Sequence, residues 1–276
     1  MRLCKPSYEI WEQPAGLEGI YKMIEKAGRI CYRSSDKITE DSAKSFVDRM
    51  VKSGHGAMLE HGTVYLAIPY ELEEYEPLTI EKYVSDPYTH VVGKEYTYYV
   101  TSNYRVLVEN NWLDDLKYLC EPTEYHVKRI TVKFILSRSI AQEYTRHRVF
   151  SFAMESQRYC NYSKDKFDNE VTFIQPCWNC TKTAIYNGVD NFDGDYFEHS
   201  LREAEAYYFK LLEQGWKPQQ AREVLPNACK TELVMTGFAD DWKHFFFLRC
   251  PVNAHPQARE LAIPLSDEFN RRGYLK

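Results

Sequence analysis

The sequence lacks any apolar run approaching the roughly 18 residues that cross a bilayer, and its N-terminal stretch MRLCKPSYEIWEQP has no apolar core of a secretory signal. A soluble, cytoplasmic chain with no membrane partner is therefore expected. It also lacks an excess of basic charge, since 40 acidic against 35 basic side chains leave a formal net charge of -5. That balance argues against a sequence-independent nucleic-acid binder, although an average can hide a local basic patch. The 12 glycines never fall into GxGxxG or GxxxxGK(S/T), so neither a Rossmann fingerprint nor a P-loop is present. GxSxG and HExxH are missing as well, which removes the serine-hydrolase elbow and the zinc-protease helix. No repeat, low-complexity tract or Gly/Ser linker divides the chain, so one domain over residues 1–276 is expected.

Cysteine is present without a framework. The eight residues are expected as reduced thiols, most packed as small apolar groups. Cys177 and Cys180 have CxxC spacing, but no second pair and no two histidines at ligand spacing follow, and Gln175-Pro176 rather than a thioredoxin-like strand precedes them. No metal site is expected.

What the chain has in excess is aromatic: 22 Tyr, 14 Phe and 5 Trp. Such side chains fill cores, build subunit interfaces or stack on flat ligands, and composition does not choose among these uses. Periodicity predicts a strand at 8–11 and a helix through Leu17, Ile20, Met23 and Ile24. A second helix is expected from Thr39, with Glu40 and Asp41 in its first turn, burying Phe46, Val47 and Met50 and stopping at Gly54. A strand buried on both faces is expected at 63–68. Residues 71–125, opening on the acidic run ELEEYE and rich in tyrosine, with strand-like runs such as 96–101, read as an insertion carried on the core. Ile130, Val132 and Phe134 alternate as a strand and give way to helical spacing toward Arg146. Beyond that lie an amphipathic helix at 195–214, a helix opened by Pro218 and ended by Pro226, and a strand at 233–236. Asp240 is expected to cap the aromatic helix WKHFFFLR, and 255–270 to form a last helix interrupted at Pro264. This mixed order predicts an α+β fold rather than a regular parallel α/β sheet.

The chemically dense stretch is Arg146-His147-Arg148 followed by Ser151, Glu155, Ser156, Gln157 and Arg158, expected to leave a helix and enter an irregular segment. Guanidinium groups grip phosphate or a uracil-like carbonyl with a fixed fork of donors, and a nearby hydroxyl adds another. The same residues also suit a basic surface turn that pairs with acidic neighbours. Arg222 in QQAREVLP and Arg249 in FFFLRC sit among apolar residues, and a buried guanidinium needs either an internal carboxylate or an anionic ligand. His61, at the entrance to a buried strand, reads first as a satisfied structural histidine.

Arg146-His147-Arg148 with seven residues before Ser156 fits the RHRx7S signature, and the chain thereby resembles the flavin-dependent thymidylate synthases. Cys31-Tyr32-Arg33-Ser34, Leu59-Glu60-His61, Arg158-Tyr159, Ala221-Arg222 and the stretch from Trp242 to Arg249 look like further landmarks of that family, in family order. The resemblance implies FAD contacts from Thr63, Arg146, His147, Arg148, Met154 and His244. It implies a deoxyuridine monophosphate (dUMP) site from Glu143, Arg146, Glu155, Ser156, Gln157, Arg158, Arg222 and Arg249, with Arg249 as the catalytic residue that polarises the pyrimidine. It further implies 5,10-methylenetetrahydrofolate as carbon donor, NADPH as reductant, and a homotetramer with shared sites. Ser156 reads as a hydrogen-bond donor rather than a nucleophile, because no adjacent base activates it. The sequence departs from the family at Met154, where Gln or Glu is common, at Ala153, and in Phe238-Ala239-Asp240, where an Asn and an Arg are common. These departures favour, as the alternative, a flavin- or nucleotide-binding homologue without turnover. An arginine-rich RNA-binding module is a third reading, opposed by the acidic balance and the lack of a repeated aromatic pattern.

Overall fold

A computed structural model describes residues 1–70, 78–178 and 196–275. The strands are β1 (Arg2–Cys4), β2 (Ser7–Trp11), β3 (Thr63–Pro69), β4 (His90–Lys94), β5 (Thr97–Asn103), β6 (Arg129–Ser137), β7 (Ser151–Met154), β8 (Thr172–Ile174) and β9 (Lys230–Phe238). Between them run α1 (Gly16–Ile30), α2 (Ser42–Lys52), α3 (Gly56–Leu59), α4 (Leu78–Val84), α5 (Tyr104–Glu109) and α6 (Arg138–Tyr144). The C-terminal half adds α7 (Tyr196–Glu213), α8 (Pro218–Ala221), α9 (Ala239–Arg249) and α10 (Pro256–Arg271). Helices and strands are interleaved without a parallel βαβ series, so the fold is α+β, as the sequence predicts.

A four-stranded antiparallel sheet in the order β2-β6-β9-β7 is the frame. Alternation along β6 sends Ile130, Val132, Phe134 and Leu136 to one face, where Trp242, Phe245, Leu261, Leu265 and Phe269 from α9 and α10 cover them. Trp11, Ala153 and Val234 occupy the other face, against Met23, Ala27 and Ile30 of α1. The opposite side of α1, through Ile20 and Ile24, packs into a second core with Val64, Leu66, Val100 and Leu107. One helix thus ties two cores together. β1 and β8 pair parallel beside a third cluster that includes Leu201 and Tyr208 of α7.

Several local expectations are corrected. α2 begins at Ser42, not Thr39, because the Ser42 hydroxyl accepts from the Thr39 amide at 2.9 Å and holds Thr39 to Asp41 outside the helix. The cap of α9 is Phe238, whose amide donates to Asp241 Oδ2 at 3.0 Å, so Asp240 lies inside the first turn. α10 runs unbroken through Pro264: that residue faces solvent while Leu261, Ala262, Leu265 and Phe269 anchor both halves. The segment after Arg148 contains β7, which pairs with β9 and closes the sheet. Within the expected insertion, β5 pairs along the whole of β3, and Tyr83, Val100, Tyr104 and Leu107 fill the second core, so these residues complete that core rather than ride on it. The ELEEYE run and Cys180 lie outside the described residues.

Candidate nucleotide and flavin site

β6 turns directly into α6, with Ser137 as the cap accepting from the Ile140 amide. α6 ends at Tyr144, and the Arg146-His147-Arg148 turn follows, tightened by bonds from the His147 amide to the Tyr144 carbonyl and from the Phe150 amide to the His147 carbonyl. Phe150 lies over β9 where Gly237 has no side chain; a Cβ there would come within 2.5 Å of the ring. This packing sets His147 against the end of α9.

Arg249, the last residue of α9, meets that turn. It donates from Nη1 to Glu143 Oε2 at 2.8 Å, from Nη2 to the Glu143 carbonyl at 2.7 Å, and from Nε to His147 Nε2 at 2.9 Å. Three of its five N–H groups are engaged, which leaves two donors on a rigidly oriented cation. Because His147 Nε2 accepts, its proton resides on Nδ1 and the ring is neutral. Burial first, then the charges of Arg249 and His244, lower the His147 pKa to about 4. The structure thus brings Glu143, His147 and Arg249 together, with His244 exposed and its ring 6.3 Å from that of His147. Arg146 and Arg148 lie exposed on the same turn, and no described residue binds either guanidinium. Val149, Phe247 and Val252 stand 64%, 73% and 84% exposed around this cluster.

The other expected residues are not gathered there. Glu155 is buried and closed internally: Lys230 Nζ donates to its Oε2 at 3.0 Å, and the Tyr162 hydroxyl lies 3.5 Å from its Oε1. Lys230 also holds Glu232 at 2.7 Å, and although burial opposes ionisation, Lys230 and Lys133 draw Glu232 down to about 2. Ser156 accepts from the Arg158 amide at 3.3 Å, Gln157 is buried with no partner for its amide nitrogen, and Arg158 is exposed beside Tyr159. Met154 is half-buried at the end of β7. Arg222 is not the buried cation its apolar neighbours imply; it is 33% exposed and its one ion pair among the described residues is with the exposed Glu223, at 3.6 Å.

Thr63 lies on the opposite face of the sheet from Val132 and Phe134. Its hydroxyl faces Arg129 Nη1 at 3.4 Å, while its backbone exchanges two 2.8 Å bonds with the Gln13 side chain. His61, fully buried, has Nδ1 2.8 Å from Thr236 Oγ1. Burial, then the charge of Arg129, lowers its pKa to about 3, so it is a neutral structural histidine. No sequence motif marks Arg129 or Lys230. Both are cations at the first position of an apolar strand, and that placement was the available signal.

The family model for thymidylate synthase complementing proteins matches residues 121–272, more than half of the chain. The chain belongs to that family. Within it, flavin-dependent thymidylate synthases of Geobacter sulfurreducens (31% identical over 130 residues) and Mycolicibacterium gilvum (33% over 138) align with 47% and 46% of this chain. The chain spans about half the length of these relatives, 51% and 52%. The enzyme so named from Corynebacterium aurimucosum is 25% identical over 263 residues, covering 92% of this chain and 77% of its own. The matched region holds β6, α6, the arginine turn, β9 and α9, so it contains every residue of the Arg249 cluster.

Proposed function

We propose that this family member is a flavin-dependent thymidylate synthase, converting dUMP to dTMP with 5,10-methylenetetrahydrofolate as carbon donor, FAD as hydride carrier and NADPH as reductant. The observation that carries the reading is the Arg249 cation, locked by Glu143 and a neutral His147 with two donors to spare. A guanidinium fixed in this way stabilises negative charge developing on the pyrimidine oxygens, without reorganising at the moment of reaction.

The residues fit a flavin. Arg146 and Arg148 are free cations suited to a pyrophosphate, and His244 and Phe247 offer exposed rings beside them. Bound there, FAD would supply the two-electron chemistry that no side chain in the cluster can perform. His147, uncharged, orients Arg249 and adds no competing positive charge. Arg158 and Arg222 supply unpaired or loosely paired cations for the nucleotide phosphate, with the Ser156 hydroxyl as a further donor, while Glu155 and Gln157 support the loop from beneath.

The placement of Thr63 away from the arginine turn, and of Arg222 away from Arg249, favours a site assembled between copies in a homotetramer. The exposed Val149, Phe247 and Val252 suit burial in such an assembly. No described helix is long and apolar enough to cross a membrane, and a cytoplasmic location is proposed with the activity. The binding homologue without turnover remains the second reading, favoured by the thioether of Met154, a weak acceptor, and by Glu155 being tied to Lys230. NADPH-driven tritium release from 5-tritiated dUMP, dependent on methylenetetrahydrofolate, decides between them. Flavin absorbance without tritium release would leave only the binder.

A further inference from the structure

Where β2 ends and β6 begins, at the edge between α1 and the C-terminal residues, is a cleft of about 200 Å³ that none of the residues proposed for catalysis enters except Thr63. Its floor is Arg129, and its walls include Lys128, Trp11 and the start of α1. Arg129 makes no ion pair with a described residue: Nη1 donates to the Glu60 carbonyl at 3.0 Å and to Thr63 Oγ1 at 3.4 Å, Nη2 to Ser151 Oγ at 3.3 Å, and Nε has no partner among the described residues. Burial of this cation lowers its pKa to about 10 against the opposing pull of Glu60 and Asp241, so it remains charged at neutral pH with nearby carboxylates but no carboxylate in direct contact.

Two further features converge on the same space. Trp11 is 6% exposed and its indole N–H has no acceptor, so a buried donor stands orphaned at the cleft wall. α1, fifteen residues long, begins at the cleft with Ala15 as its cap and no side-chain cap bond, so its first-turn N–H groups lack a side-chain acceptor, although Glu18 in that turn complements the dipole. Glu12, which also lines the cleft, is 71% exposed and held by Arg272 at 2.8 Å. Ile10, Ile20, Met23 and Ile130 make the remaining wall apolar.

We infer that this cleft binds a compact organic oxyanion, its phosphate or carboxylate on Arg129 and the α1 N-terminus and its apolar body against Ile20, Met23 and Ile130. The volume suits a single ring with one oxyanion, since a cavity of about 150 Å³ accepts benzene. The site is separate from the Arg249 cluster and is argued from its own lining, although Thr63 on its wall is also among the proposed flavin contacts.

The test is ¹⁹F NMR of the full chain labelled with 5-fluorotryptophan, with the Trp11 line assigned from Trp11→Phe. Phenyl phosphate and benzoate are the probes, with phenol, and sodium chloride at matched ionic strength, as controls. A saturable shift of the Trp11 line with phenyl phosphate or benzoate, absent with phenol and salt, is expected, and whichever acid shifts it identifies the oxyanion. Arg129→Met should weaken that binding tenfold or more. If this variant does not fold, Arg129→Lys, which keeps the charge and loses the fork, should weaken it by a smaller factor. An unmoved Trp11 line, an equal response to phenol, or unchanged affinity in the Arg129 variant overturns the proposal.

Discussion

Arg249 Nε lies 2.9 Å from His147 Nε2, so the cation at the end of α9 is aligned by a histidine that must stay neutral to accept its proton. The same guanidinium clasps both the carboxylate and the carbonyl of Glu143. Alignment and charge balance therefore come from different residues, and substitutions can separate them.

Arg249→Ala should lower tritium release by about 10²–10³-fold, the cost of removing one oriented donor to a developing oxyanion. Arg249→Lys should recover little, since an ammonium cannot make the planar three-way contact. Full activity in the alanine variant would sink the assignment of Arg249 as the polarising residue.

Arg222→Ala should raise the dUMP dissociation constant about tenfold, the scale of one charge-assisted hydrogen bond, while stability stays within about 0.5 kcal/mol because its ion pair among the described residues is with exposed Glu223. Equilibrium dialysis and urea unfolding on the same preparation read both quantities. A large loss of stability with unchanged binding would reassign Arg222 to structure.

The sheet and most helices were legible because period-2 and period-3.6 patterns report burial directly, as in Ile130-Val132-Phe134 and Leu17-Ile20-Met23-Ile24. β7 was not, because Ser151 to Met154 is a short edge strand whose partner, β9, lies some eighty residues away. Pro264 misled for a similar reason: what holds α10 together is the core on its far side, which no local rule sees. Of the site, the Arg249 contact with Glu143 and His147 joins residues named together from sequence. Glu155 was legible only as an anion, since its lysine partner is seventy-five positions away.

Lys230→Met should destabilise the fold by about 3–5 kcal/mol, because it leaves Glu155, 1% exposed, without its cation. Adding Glu155→Gln should restore much of that loss, by an amount urea unfolding can resolve. If the single variant unfolds at the wild-type midpoint, the pair is not what keeps Glu155 buried.

Stability should also fall in acid through His61. Its pKa drops from 6.5 unfolded to about 3 folded, so the unfolded chain takes up a proton that the native chain refuses. The penalty is absent above pH 6.5, grows as pH falls below it, and reaches about 4–5 kcal/mol near pH 3, each pKa unit being worth about 1.4 kcal/mol. Glu232 acts lower: its carboxylate, drawn from 4.5 to about 2, adds stability present above 4.5 and lost only as pH falls toward 2. Urea midpoints measured between pH 7 and pH 5 therefore isolate the histidines. His147, with its lowered pKa of about 4, contributes in the same direction. His61→Gln and His147→Gln, neither of which can take up that proton, should each flatten the slope in this window by nearly the same amount, and the two should diverge only below about pH 4, where His147 begins to titrate in the native state. An unchanged slope in His61→Gln means that the buried ring is already protonated, or that the site opens before it titrates, and either result removes the structural role assigned to the His61–Thr236 contact.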